Sequence, residues 1–198
     1  EHHKPDYEVT VGALSELTNQ PVLSEDRNRV RGTDGSGKNW TERQTRRGLW
    51  QTTMAGGIGN IWGQLHTDDT VGYTGVYDNK AQLKTYGRFW FEESLFISGL
   101  SRANDLSQNT QNTKLNDVNN DSNTRVLKAP GGRLILYRQD ASRIHIDLSG
   151  LQEPKSAVAV NTRQSYSEID LGERQPKAQT IELPKSSDWA VAIGDFTN

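Results

Sequence analysis

Residues 41–63 read TERQTRRGLWQTTMAGGIGNIWG, and this stretch decides the fold expected for the first half of the chain. Thr41 stands ahead of Glu42 and a run of helical composition that stops at Gly56-Gly57. A threonine hydroxyl accepts from the free N–H groups of a first turn, an acid there complements the helix dipole, and glycine supplies the left-handed residue that ends a helix. The following IGNIWG is short, apolar and flanked by glycine, which suits a buried parallel strand. A helix leading into such a strand is the grammar of an α/β protein.

The flanks repeat the pattern. Asp6 to Leu17 predicts a helix, with Val9, Val11, Leu14 and Leu17 apolar. QPVLSE (20–25) predicts a short strand after a turn, and Asn79 to Glu92 a third helix. Residues 101–123, SRANDLSQNTQNTKLNDVNNDSN, are almost wholly polar and predict a long connection. Seven β-prone runs follow: RVLKA, GRLILYR, RIHIDLS, AVAVNTR, YSEIDLG, QTIELP and WAVAIGDF. Separated by Gly, Pro, Asn or Asp, they predict a small antiparallel sandwich.

Composition narrows the function. At 198 residues the chain suits one large domain or two small ones. A net charge of −2 gives no argument for nucleic-acid or membrane binding, and no apolar run has the length of a transmembrane helix. The absence of cysteine excludes disulfides, thiolate metal sites and cysteine nucleophiles. His2 and His3 are adjacent but read as a solvated terminus, so no metal or cofactor is expected. The N-terminus has no signal-peptide layout; a secreted or periplasmic location, which the reading below favours, would need a signal upstream.

The charged run after QPVLS admits two readings. Glu25 and Asp26 are followed by Arg27, Arg29 and Arg31 on alternate positions. Either this is a solvated loop with internal ion pairs, or it is an active site. In an extended chain Glu25, Arg27, Arg29 and Arg31 share one face, and a guanidinium there favours the ionised carboxylate.

Two stretches, PVLSEDRNRVRG and TRRGLWQTTMAGGIGNIWG, resemble the last part of a (β/α)8 barrel in a group of bacterial, apiosidase-like glycoside hydrolases. Those enzymes carry a C-terminal β-sandwich labelled collagen-binding, a label from which nothing about collagen follows. The tail is similar to that sandwich through GGRLILYRQDASRIHIDLSGL, VAVNTRQSYSEIDLG and IELPKSSDWAVAIG. The fold class implied is α/β plus all-β: residues 1–100 as the last strand–helix units of a TIM-barrel-like catalytic domain, 101–123 as an Asn-rich connection, and 124–198 as an antiparallel β-sandwich.

The resemblance also implies roles. QPVLSE resembles barrel strand seven, whose final carboxylate is the nucleophile of a retaining glycosidase; here that position is Glu25. Arg27 and Arg29 would set its charge or hold an acidic sugar. Trp62 would offer its ring as a floor for a sugar, with Asn60 and His66 hydrogen-bonding hydroxyls. Trp50, Trp90 and Phe91 read as core, and Trp40 as rim or staple. The second carboxyl group, the general acid/base, belongs to barrel strand four, about 5–5.5 Å from the nucleophile in a retaining enzyme, and no such segment stands in this chain. The implied partners are a polysaccharide and a complementary barrel segment, a separate chain or a second copy. The alternative is a non-catalytic carbohydrate-binding or assembly module.

Overall fold

The structure, a computed structural model, describes residues 7–17, 20–22, 24–27, 41–57, 60–62, 79–92, 99–108 and 121–195. They fall into two compact units, one drawn from Glu1–Lys80 and the other from Ala81–Leu115 and Asn120–Asn198.

The first unit holds α1 (Tyr7–Glu16), β1 (Ser24–Arg27), α2 (Glu42–Met54) and β2 (Asn60–Trp62). Thr41 caps α2 as expected: its hydroxyl accepts from Gln44 N–H at 3.2 Å, and Gln44 Oε1 accepts from Thr41 N–H at 2.9 Å. Two of the helix's free donors are thereby satisfied reciprocally. Every residue from Thr45 to Met54 is buried, with Arg47 and Trp50 at 0% exposure. So α2 is enclosed all round, although its composition is that of a polar helix. It packs against α1, which buries Tyr7 and Thr10, and against β2.

Two glycines end α2 by different means. Gly56 takes the left-handed conformation (φ +98°) and donates to Thr53 O at 2.9 Å, while Gly57 donates to Thr52 O at 3.0 Å. These bonds satisfy carbonyls that the last turn leaves open. Gly57 is needed for space. A Cβ there would lie 2.9 Å from Thr52 O and 3.4 Å from Val22 O.

The second unit opens with α3 (Lys80–Gly87) and a π-helical turn, Arg88–Glu92. Gln82 Nε2 donates to Arg163 O at 3.2 Å and Thr85 Oγ1 to Gln164 O at 2.6 Å. The Arg88 guanidinium stacks 4.4 Å above the Tyr166 ring, a cation–π contact on the same loop. Phe89 and Trp90 are fully buried and meet edge to face at 5.4 Å.

The remaining strands are β3 (Ser101–Arg102), β4 (Arg125–Ala129), β5 (Arg133–Asp147), β6 (Lys155–Asn161), β7 (Glu168–Arg174) and β8 (Ala178–Ile193). They form one antiparallel six-stranded sheet in the order β3-β4-β5-β8-β6-β7. Asn104 extends the β3 edge by accepting from Val126 N–H through its side-chain oxygen at 2.8 Å.

The expected fold class is therefore corrected. Among the described residues the parallel strands are two, β1 and β2, accompanied by three short helices. Among the described residues the alternating strand–helix units of a barrel are not seen, and the β-rich tail is one sheet rather than a sandwich of two. Four of the seven predicted runs merge into two long strands: GRLILYR and RIHIDLS are both β5, while QTIELP and WAVAIGDF are both β8.

The physical reason is that the apparent strand breakers occupy bulges. Register shifts fall between Arg138 and Ala141 and between Ala141 and Arg143. Between these pairs β8 advances from Glu182 to Ser187 while β5 moves only from Arg143 to Ala141, so Pro184 sits where no ladder bond is demanded of it. Asp140 adopts φ +46° and its N–H donates to buried Asp188 Oδ1 at 3.0 Å. Asp188 O in turn accepts from Thr162 N–H and Oγ1 at 2.9 and 3.1 Å. Leu134, Leu136, Trp189, Val191 and Ile193 from one side of the bulges share a core cluster with Ile144, Ile146, Ile181 and Leu183 from the other. Long bulged strands let one sheet bend over its own core.

Candidate active site

β1 and β2 pair in parallel, with Ser24 opposite Asn60 and Arg27 opposite Trp62. Because the strands run the same way, their carboxyl ends lie side by side. The backbone thus brings four of the six expected site residues, Glu25, Arg27, Asn60 and Trp62, into one two-stranded ladder. Arg29 and His66, the other two, lie outside the described residues, as does Trp40.

The register holds a feature the sequence reading did not contain. Three steps along β1, Ser24 to Arg27, face two steps along β2, Asn60 to Trp62, and the ladder is irregular between them. One extra residue is accommodated at Glu25-Asp26. The alternation that would set Glu25 and Arg27 on one face belongs to a regular ladder, and this one is irregular between Ser24 and Arg27.

Gly57, after α2, packs on the last turn of that helix, where a Cβ would lie 2.9 Å from Thr52 O, and it also approaches the Val22 carbonyl ahead of β1. The sequence reading treated Gly56-Gly57 only as a helix stop; a second glycine after the left-handed one was the available signal of close backbone approach. The same unit buries two guanidinium groups, Arg46 (4% exposed) and Arg47 (0%), on the helix that contacts β2.

The ladder thus brings the backbone segments Ser24–Arg27 and Asn60–Trp62 onto two adjacent strands. Among the described residues no group of three or more His, Cys, Asp or Glu is placed to hold a metal ion.

No protein-family model matches the sequence, and no curated protein matches it. Solved structures do. A glycoside hydrolase of family 5 from Bacteroides vulgatus is similar with a TM-score of 0.71 at 14% identity, over 100% of this chain and 50% of that one. Another glycoside hydrolase is similar with a TM-score of 0.68 at 11% identity, over 97% of this chain and 46% of that one. The chain spans about half the length of these structures, and at such identities the likeness is one of fold: the fold of this chain is that found in part of glycoside hydrolases.

Proposed function

We propose that the chain is part of a glycoside hydrolase acting on a polysaccharide, with β1 and β2 carrying the nucleophile half of its site. The observation that supports the reading is the parallel ladder, in which the backbone segments Ser24–Arg27 and Asn60–Trp62 are neighbours running the same way. The likeness of fold to glycoside hydrolases supports it.

In the proposed mechanism the Glu25 carboxylate attacks the anomeric carbon. The glycosidic C–O bond breaks, and the leaving oxygen takes a proton from a general acid supplied by a complementary segment or partner chain. Water then attacks the glycosyl ester, giving its proton to the same group now acting as base, and Glu25 leaves as carboxylate. Arg27 and Arg29 keep Glu25 ionised or bind an acidic sugar, Trp62 stacks on a ring face, and Asn60 and His66 hydrogen-bond hydroxyls.

The bulge makes Asp26 the natural rival for the nucleophile, and the test separates them. In the completed enzyme Glu25→Gln is expected to lower kcat by at least about a thousandfold, with Asp26→Asn within about tenfold of wild type. A 2-fluoro glycoside that traps the glycosyl ester should label the peptide at Glu25, as read by mass spectrometry. A label on Asp26, or full turnover by Glu25→Gln, overturns the assignment.

A further inference from the structure

A cleft of about 380 Å³ lies on the sheet unit, far along the sequence from β1 and β2. Its floor comes from the end of β5 and the start of β8, where His145 pairs with Thr180 and Asp147 with Ala178. Its wall is the 3-10 turn Asn104–Leu106 and the two residues after it, held against β5 by Ser107 Oγ, which donates to His145 O at 2.8 Å. Asp105, Gln108, His145, Asp147, Gln179 and Thr180 supply its polar lining.

Several of these groups are already oriented by their neighbours. His145 Nδ1 and Thr180 Oγ1 lie 2.8 Å apart, which fixes the ring and leaves Nε2 for another partner. Gln179 Nε2 donates to Gln175 O at 2.7 Å, so its amide oxygen is the atom left to accept. Asp147 Oδ1 accepts from Ser149 N–H at 2.9 Å. Side chains whose rotamers are held this way bind a ligand at lower entropic cost.

We infer that this cleft binds a neutral sugar unit. Its volume lies at the low end of the range for small-molecule sites, about 300–1,000 Å³, enough for a short saccharide and not a folded partner. Its lining mixes acceptor-only carboxylates with an imidazole, a hydroxyl and amides able to give and take, which is what a row of sugar hydroxyls requires. Among the described residues of the lining, Asp105 and Asp147 supply two carboxylates and no Lys or Arg faces them, which disfavours an anionic ligand. Those described residues include no Phe, Tyr or Trp, so the contacts they offer a sugar are hydrogen bonds rather than stacking.

The inference takes its ligand class from the proposed function but none of its residues. The full chain is titrated by calorimetry with cellohexaose, xylohexaose and mannohexaose, and with trigalacturonate as the anionic probe. At least one neutral oligosaccharide is expected to bind. Its Kd should rise at least tenfold in both Asp105→Asn and His145→Gln, two substitutions outside the core cluster, and by a similar factor when either is made in a Trp62→Ala background. Circular dichroism checks that each variant is folded, and Thr180→Ala, expected to weaken binding in the same sense, replaces any that is not. No binding by any neutral probe, tighter binding of trigalacturonate, or affinity unchanged in the cleft variants overturns the cleft. Loss in Trp62→Ala alone overturns it while leaving the proposed active site standing.

Discussion

Gly57→Ala and Gly12→Ala make the same chemical change and are expected to act with opposite signs. At Gly57 the new methyl would sit 2.9 Å from Thr52 O, 3.0 Å from Thr52 Cγ2 and 3.4 Å from Val22 O. Two of those atoms are backbone, and Thr52 O is already committed to the Gly57 N–H at 3.0 Å. Moving away loosens that bond, worth about 0.5–1.5 kcal/mol net, and forcing an extra carbon into a packed site costs about 1–3 kcal/mol. The stiffer unfolded chain returns about 0.4–1 kcal/mol. The net expectation is a loss of about 1–3 kcal/mol. At Gly12, inside α1, nothing lies within 4 Å of the added carbon, so alanine should stabilise by about 0.5–1 kcal/mol through helix propensity. Urea unfolding followed by tryptophan fluorescence measures both, and each kcal/mol moves Tm by about 2–4 °C for a chain of this size. If Gly57→Ala is as stable as wild type, the close packing on the Thr52 carbonyl does not require glycine.

Thr41→Ala removes the reciprocal cap of α2 and should cost about 0.5–2 kcal/mol, read as a lower urea midpoint; an unchanged midpoint would refute the cap's contribution. Trp189→Ala, at a residue 1% exposed whose Nε1 donates to Lys185 O at 3.0 Å, should cost about 3–5 kcal/mol, and a loss below about 1 kcal/mol would show that the sheet core is not where this structure puts it. On acidification, Asp147 and Glu153 are the groups to follow. The Ser149 backbone N–H, then its side chain, hold the Asp147 carboxyl below its ordinary range, and the Lys155 ammonium 2.6 Å away does the same for Glu153. A pKa depressed by folding stabilises above the unfolded value, about 4 for these groups, and that contribution is lost as pH falls through the folded pKa. Any stability advantage of wild type over the double variant Asp147→Asn/Glu153→Gln should therefore shrink below about pH 4; an advantage constant down to pH 2 would refute the assignment.

Local structure in the first unit was legible because its signals are chemical and short-range. Thr41, Glu42 and Gly56-Gly57 bound α2 as they read, and α1 lies within the predicted span. The sheet was less legible for a definite reason: Asp140 and Pro184 are as suited to a bulge as to a turn. Both tolerate an interrupted ladder, so the sequence alone could not tell two short strands from one long bent strand. What decides it is the shared core joining Leu136 to Ile144 and Ile181 to Trp189, a set of contacts remote in sequence. The cleft was invisible for the same reason. Asp105, His145 and Thr180 carry no motif; the pairing of β5 with β8 joins the last two, and the Ser107 bond to His145 O brings up the turn that carries the first.

The candidate site lies between these cases. Its members were legible as residue types, since a strand that ends in Glu-Asp-Arg and another that ends in Asn-Ile-Trp are unusual chemistry for strand ends. Their arrangement was not legible. Period-two reasoning assumes an unbroken ladder, and between Ser24 and Arg27 that ladder gains a residue. The irregular step falls at Glu25-Asp26, the two adjacent carboxylates of the charged run. Regular alternation therefore does not choose between them, and the proposed chemistry turns on which of the two a glycosyl trap labels.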